Sequence, residues 1–328
     1  MPIRFFPGKI LPRLCVAVAC VILFAGCGSS GSDDDGGGGG GSGGTIAGYS
    51  VALESVLRSI PASYIEEARD EFEVAYAHTS HGTHVSYGVF GLPGFQSGDD
   101  ALFAVSASDE EHALYFRDGA FNSVDWPDLS QTDISHAWPQ WVDQNRAWLE
   151  DPANADVDIW MWSWCSINGH DVAAYLDSMQ TLINEYGEGG TKVGEGRARA
   201  EPVTFIFMTG HAEGDNVGEG APKNQADLIV DYCRDRGYWC IDYYSIDTHA
   251  MDGHYYEDTD DNGASETYGG NFYADWQNSH VLGVDWYYNR SSPGGDVEYG
   301  NHNDQHITAN RKAFAFWWVL ARIAGWQG

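Results

Sequence analysis

Val157 to Cys165, VDIWMWSWC, restricts the fold more than any other stretch, because so apolar a strand cannot lie at an exposed edge. Three further runs accompany it: Phe72 to Ala77, Pro202 to Met208 (PVTFIFM) and Tyr238 to Tyr244 (YWCIDYY). Segments of helical spacing separate them. Val172 to Tyr186 puts Val172, Tyr175, Leu176, Met179, Leu182, Ile183 and Tyr186 on one stripe. Asn224 to Arg236 turns Leu228, Ile229 and Tyr232 inward, and Trp138 to Leu149 sets Trp141, Asn145 and Trp148 at the same spacing. Val51 to Ile60 and Ala62 to Phe72 read as short helices divided by Pro61. Thr308 to Ile323 closes the chain as a helix, with Phe314, Trp317, Trp318, Ala321 and Ile323 on its apolar side. Gly82 to Gly94 can begin a helix that breaks at Pro93, while Phe95 to Ser130 reads as irregular surface. Strands alternating with helices predict an α/β fold, a three-layer α/β/α sandwich around a mostly parallel sheet. His249 to Gly300, rich in Asp, Gly and Tyr, reads as a long insertion before the last helix.

The N-terminal residues do not read as part of that fold. Arg4, Lys9 and Arg13 precede the apolar run Leu14 to Ala25, which ends at Phe24-Ala25-Gly26-Cys27. A basic start, a short apolar run and small residues before a Cys predict a lipoprotein signal peptide over 1–26, with lipidation at Cys27. The alternative is a simple cleaved signal peptide. Residues 27–44, mostly Gly, Ser and Asp, cannot bury apolar surface and read as a flexible tether of roughly 20–25 Å span. The expected location is the bacterial cell envelope, outer membrane, periplasm or cell surface, with membrane contact only through the lipid. The remaining 45–328 suits one domain.

The chain carries 17 Lys and Arg against 48 Asp and Glu, a formal charge of −31. Removing Arg4, Lys9 and Arg13 leaves 14 cations and a net −34. Such a surface repels phosphate, which argues against nucleic acid as a partner. Beyond the signal segment and Cys27, three cysteines remain. Cys233 and Cys240 can pair in an oxidising compartment, leaving Cys165 as the odd thiol.

In a parallel sheet the site lies beyond the carboxyl ends of the strands. Those ends carry Thr79-Ser80-His81, Ser163-Trp164-Cys165-Ser166, Thr209-Gly210-His211 and Asp247-Thr248-His249. Ser80 follows an apolar strand and precedes Gly82, a placement that lifts a hydroxyl out of the sheet beside free backbone N–H groups. A Ser nucleophile needs an imidazole base and an acceptor to orient it. His306, just ahead of the last helix, is the expected base, with Asp304 or Asn303 as its partner.

His78-Thr79-Ser80-His81-Gly82 resembles the nucleophile motif of a divergent branch of the SGNH, or GDSL-like, hydrolases, in which His-x-Ser-x-Gly replaces Gly-Asp-Ser. Val157 to Cys165 is similar to the family's third strand, and Asn303-Asp304-Gln305-His306 to its closing element. The resemblance spans Glu71 to Gly328. It implies the family's sandwich, with Ser80 as nucleophile and His306 as general base. The residue three before His306 is Asn303, where the family has Asp, and Asp304 stands two before, so the acid stays open. Ser163-Trp164-Cys165 stands where the family's Gly-x-Asn donates to the oxyanion. Ser166, Asn168 or the backbone N–H of Ser80 are the alternative donors, with Gly82, Cys165, His78, His81 and His211 around the pocket.

Other readings compete. His78, His81 and His84 recur at three-residue spacing, with further histidines at 211, 249, 254, 280, 302 and 306, and imidazoles so placed can hold a catalytic metal. A lyase drawing on the many Tyr and His residues is a related alternative. Asp258-Thr259-Asp260-Asp261-Asn262-Gly263 matches the first half of a calcium loop. Asp258, Asp260, Asn262 and Glu266 are its expected ligands, and the twelfth position is Gly269 rather than Glu, so any calcium is structural. No cofactor is required for the chemistry. Trp317 and Trp318 are expected in the core, whereas Trp276, Trp286 and Tyr287 can stack on sugar rings. The leading expectation is a serine hydrolase acting on an ester, with an O-acyl group of a carbohydrate as one form of substrate. A non-catalytic carbohydrate-binding domain on the same fold is the main alternative.

Overall fold

The computed structural model describes residues 44–119 and 138–328, which fall within one unit, Gly41–Gly328. The signal segment, Cys27 and nearly all of the tether lie outside the described residues, as do positions 120–130. The first half contains β1 (Ile46–Ala47), α1 (Glu54–Leu57), α2 (Ala62–Glu71), β2 (Glu73–His78) and α3 (Thr83–Gly91). It continues through α4 (Asp99–Leu102), β3 (Val105–Ser106), β4 (Leu114–Asp118), α5 (Trp138–Leu149) and β5 (Ile159–Ser163). Then come α6 (Val172–Tyr186), β6 (Thr204–Met208), α7 (Pro222–Arg236), β7 (Trp239–Ile241) and α8 (Tyr243–Thr248). The small antiparallel pair β8 (Ala264–Ser265) and β9 (Gly270–Asn271), then α9 (Phe272–Ser279) and α10 (Ile307–Ile323), complete the chain.

Seven strands form one sheet in the order β1-β7-β6-β5-β2-β4-β3, and every pairing in it is parallel. The chain leaves β2 toward β3 and β4 on one side, then crosses to β5, β6 and β7 on the other. The crevice at the carboxyl ends of β2 and β5 is therefore the switch point of an open parallel sheet. Register makes that crevice specific: His78 pairs with Ser163, so the residues after each strand emerge side by side. Met161 pairs with Ile206, which places the end of β6 next in line.

Alternation along each strand feeds two cores. Val74, Tyr76, Ile159, Met161, Ile206 and Met208 face one, packed with Phe314, Phe316, Trp317 and Leu320 of α10. Ala75, Ala77, Trp160, Trp162, Phe205 and Phe207 face the other, against Trp141, Tyr175, Met179 and Ile229 of α5, α6 and α7. Helix α10 is buried along nearly its whole length, Arg311 and Lys312 included. A buried cation must be fully hydrogen-bonded. Arg311 satisfies this by donating to the carbonyls of Tyr49, Ala52, Ile246 and His249. Lys312 is ion-paired with Asp247, and both are fully enclosed.

Several boundaries differ from the sequence expectation. Within Val51 to Ile60 only Glu54–Leu57 is α-helical. Part of the stretch expected to be irregular supplies β3 and β4, and β4 lies directly beside β2. The strand expected through Tyr244 stops at Ile241. Asp242 ends it by accepting from the Ser245 N–H and capping α8. Tyr287, expected as a sugar-stacking residue, is buried against Phe95 and Phe314. Cys233 and Cys240 are free, buried thiols.

Candidate active site

Ser80 to Gly82 form a single 3-10 turn between β2 and α3. Tyr76, buried in β2, donates to the Gly82 carbonyl at 3.0 Å, and the Thr83 hydroxyl donates to the Ser80 carbonyl at 2.7 Å. Position 82 admits no side chain, because a Cβ there would sit 2.2 Å from His78 Cβ and 2.8 Å from the Tyr76 hydroxyl. The turn is thus pressed onto the strand it leaves, which fixes where Ser80 and His81 point.

The three closely spaced histidines go to three different places. His78 is pinned to the end of β4 through Nε2 and Asp118, 2.8 Å apart. His84 is fully buried, with Nε2 2.7 Å from the Asn301 carbonyl and Nδ1 2.8 Å from the Tyr243 hydroxyl. His81 alone turns into the switch-point crevice. Its Nδ1 lies 3.4 Å from Cys165 Sγ, and its Nε2 lies 3.1 Å from Oδ2 of the buried Asp261. The Ser80 hydroxyl and the His81 backbone N–H act on the Cys165 sulfur in the same direction, both favouring its thiolate.

The electrostatics follow from these contacts. Burial opposes charge on His81, but its hydrogen bonds to Asp261 and Cys165 outweigh that and raise the imidazole to about 9. The hydrogen bond from His81 lowers the Cys165 thiol against the opposing effect of burial, and Ser80 and the His81 N–H add to it. Cys165 is only half-buried, so a polarised thiol is partly open to solvent. His211 stacks on His81 with ring centroids 3.6 Å apart. Burial, then the neighbouring charge of His81, holds it down to about 3, so it is a neutral wall of the site. His302 stacks on His81 from another side at 4.6 Å.

The remaining expected residues divide into neighbours and bystanders. Ser166 and Asn168 both donate to Glu213, next to His211. Asn303 donates to the Asp261 carbonyl at 3.2 Å and so supports the residue that orients His81. His306 is not brought to Ser80: among the described residues no hydrogen bond joins them. Its ring packs among Trp286, Tyr288 and Tyr299, and its Nδ1 accepts from the Asn289 N–H at 3.2 Å. Burial lowers it to about 4. Asp304 accepts from the Gln305 side chain rather than from His306. In the acidic loop, Asp258 accepts from the Ser265 hydroxyl and the Thr267 N–H, and Asn262 accepts from the Ala264 N–H. Those two side chains already serve the loop's own turns, while Asp260 and Glu266 line an open hollow beside it.

Two participants were not assigned from the sequence. Asp261 stands inside the calcium-like motif, where alternate residues point one way, and it is the residue of opposite phase that enters the site. His302 stands four residues before the histidine expected as base. No protein-family model, no curated protein and no solved structure matches this chain.

Proposed function

We propose that the protein is an exported hydrolase that cleaves an ester by covalent acyl transfer, with Cys165 as nucleophile. The observation that carries this is the continuous chain from Cys165 Sγ through His81 to Asp261, with contacts of 3.4 and 3.1 Å. A nucleophile, a base within reach and an acid that orients the base form the constellation acyl transfer requires. Cys165 attacks the ester carbonyl as thiolate, and His81, carrying the thiol's proton, gives it to the departing alkoxide. Water then attacks the thioester, with His81 as base, and releases the acid. Asp261 holds the imidazole in register through both halves. The hydroxyl of Ser80 and the N–H of His81 help hold the sulfur as thiolate before attack, since both lower the Cys165 thiol.

The seven-stranded parallel sheet and the turn after β2 that carries Ser80 and His81 accord with an SGNH-like α/β/α sandwich carrying its insertion before the last helix. A carbohydrate ester is the favoured substrate class. Tyr299, three residues ahead of His302, and Tyr288 are both exposed aromatic faces on which a sugar ring can stack. An export signal and lipid anchor at Cys27 place the enzyme at the cell envelope. No helix among the described residues is long and apolar enough to cross a membrane.

A second reading makes Ser80 the nucleophile, because its hydroxyl lies in the same cluster, on the turn that the SGNH-like resemblance singles out. Inactivation chemistry separates the two. Turnover of p-nitrophenyl acetate that iodoacetamide abolishes, with the label on Cys165, supports the thiol mechanism. Inactivation by a fluorophosphonate at Ser80, with turnover surviving in Cys165→Ala, supports the serine mechanism. Turnover indifferent to both reagents rejects both.

A further inference from the structure

We propose that His81, Cys165 and His302 together bind one divalent transition-metal ion of the zinc class, directly over the nucleophile. One sulfur and two imidazole nitrogens from these residues lie within 4.8 Å of one another. Tetrahedral zinc holds neighbouring sulfur and nitrogen ligands about 3.3–3.6 Å apart, given its bond lengths. The His81 Nδ1 to Cys165 Sγ separation of 3.4 Å already meets this. His302 stacks on His81 and is exposed, so its side chain is free to turn from the stack and close the third bond. Thiolate with imidazole is a donor set that selects zinc or its softer neighbours over calcium and magnesium.

The surroundings are those of a metal site rather than of three chance neighbours. Ligating histidines characteristically donate their other ring nitrogen to a carboxylate, which turns the free nitrogen toward the ion. Asp261 occupies that position on His81 Nε2, and Asn303 in turn donates to the Asp261 carbonyl. His302 has φ +67, one of two non-glycine residues among those described in the left-handed region, a conformation that costs about 1–2 kcal/mol. The loop around it is clamped onto α3. The Asn301 N–H donates to the Thr83 hydroxyl at 2.8 Å, and the Asn301 carbonyl lies 2.7 Å from His84 Nε2. A Cβ at Gly300 would lie 1.9 Å from the His84 ring, so the close approach depends on that glycine. The fold therefore holds an unfavourable backbone conformation in place, and that conformation delivers an imidazole to the thiol.

Three protein ligands leave a fourth coordination position for water or a ligand group. Binding forms one metal–sulfur and two metal–nitrogen bonds and releases the thiol proton to solvent. The bound ion occupies both the nucleophile and its base, so acyl transfer stops while it is present. The coordination geometry itself does not depend on the hydrolytic reading; only the expected inhibition does.

Titration of the full-length protein, purified in metal-free buffer, with Co²⁺ and then with Zn²⁺ tests this. The expected result is one equivalent of Co²⁺ giving a thiolate-to-cobalt charge-transfer band in the near ultraviolet, displaced by Zn²⁺. The band is lost in Cys165→Ser, and His302→Ala, at an exposed position, weakens binding by more than the about 10–100-fold that loss of an outer-shell partner costs. Zn²⁺ suppresses ester turnover and a chelator restores it. No charge-transfer band, or binding unchanged in His302→Ala, overturns the assignment, whereas turnover that persists with the metal bound keeps the site and shows that Cys165 is not the nucleophile. A protein with no esterase activity that still gives the one-equivalent band keeps the metal site and defeats the hydrolytic reading alone.

Discussion

His81 Nδ1 and Cys165 Sγ lie 3.4 Å apart across the crevice between β2 and β5, although 84 positions separate them in the chain. The pairing of His78 with Ser163 in the sheet produces this contact, since both residues emerge just beyond adjacent strand ends. His81 and Cys165 are therefore positioned by turns anchored directly on adjacent strands of the sheet.

The Asp261 carboxylate hydrogen-bonds to His81 Nε2, so replacing it should alter catalysis more than binding. Asp261→Asn keeps the shape of the contact but can present an amide N–H instead of an acceptor to Nε2. We expect kcat to fall about 10²–10⁴-fold with KM changed little, by analogy with loss of the orienting acid in other triads. Steady-state kinetics on an activated ester measure the split. An unchanged kcat would remove Asp261 from the mechanism.

Gly82→Ala places a methyl group 2.2 Å from His78 Cβ, and the neighbouring backbone cannot give way without moving the turn that carries His81. Overpacking of this kind costs about 1–3 kcal/mol, occasionally more. Thermal unfolding should show the loss, and turnover should fall further than stability accounts for, because Ser80 and His81 ride on the same turn.

Lys312 and Asp247 are paired with no exposure to solvent. Removing one partner of such a pair costs about 3–5 kcal/mol, while replacing both with apolar groups of similar size can be nearly neutral. Denaturant unfolding should therefore find Lys312→Met much less stable than the double variant Lys312→Met/Asp247→Leu. Equal loss in both would show that the charges are not the cause.

Asp158 gives the stability a pH dependence of definite sign. Burial, reinforced by the nearby Glu73 carboxylate, raises it to about 6 despite the hydrogen bond from the Glu73 N–H. A carboxyl raised above its unfolded value binds its proton more tightly in the folded state, so stability falls as pH rises from about 4 to 6. The penalty persists above that window. Asp158→Asn keeps an acceptor for the Glu73 N–H and removes the charge. It should be more stable than the parent at pH 7, on the order of 1 kcal/mol, with the two converging near pH 4. Melting temperatures across pH 4–8 measure it.

Much of this architecture was legible in the chain, and the exceptions have physical causes. β2, β5 and β6 are apolar enough to announce themselves, as are α6 and α10. β3 and β4 are short, and Arg117 and Asp118 give β4 a polar end, so the second flank of the sheet carried little signal. β7 ran on in the sequence because Tyr243 and Tyr244 continue its aromatic character, while Asp242 supplies a helix cap that the pattern does not register. For the site, Ser80, His81, Cys165 and His211 were all marked by their place at strand ends. His306 drew attention by preceding α10, yet that position turns it under the Trp286–Tyr288–Tyr299 aromatic cover. His302 and Asp261 reach the centre through one left-handed residue and one loop phase, neither of which a residue pattern displays.

The central claim is that acyl transfer passes through Cys165. Rapid quenching of the protein during turnover of an activated ester, followed by mass spectrometry of its peptides, tests it most directly. The account predicts an acyl group on the peptide containing Cys165, as a thioester removed by hydroxylamine. An acyl group on Ser80 instead, or none at either residue while turnover proceeds, would contradict it.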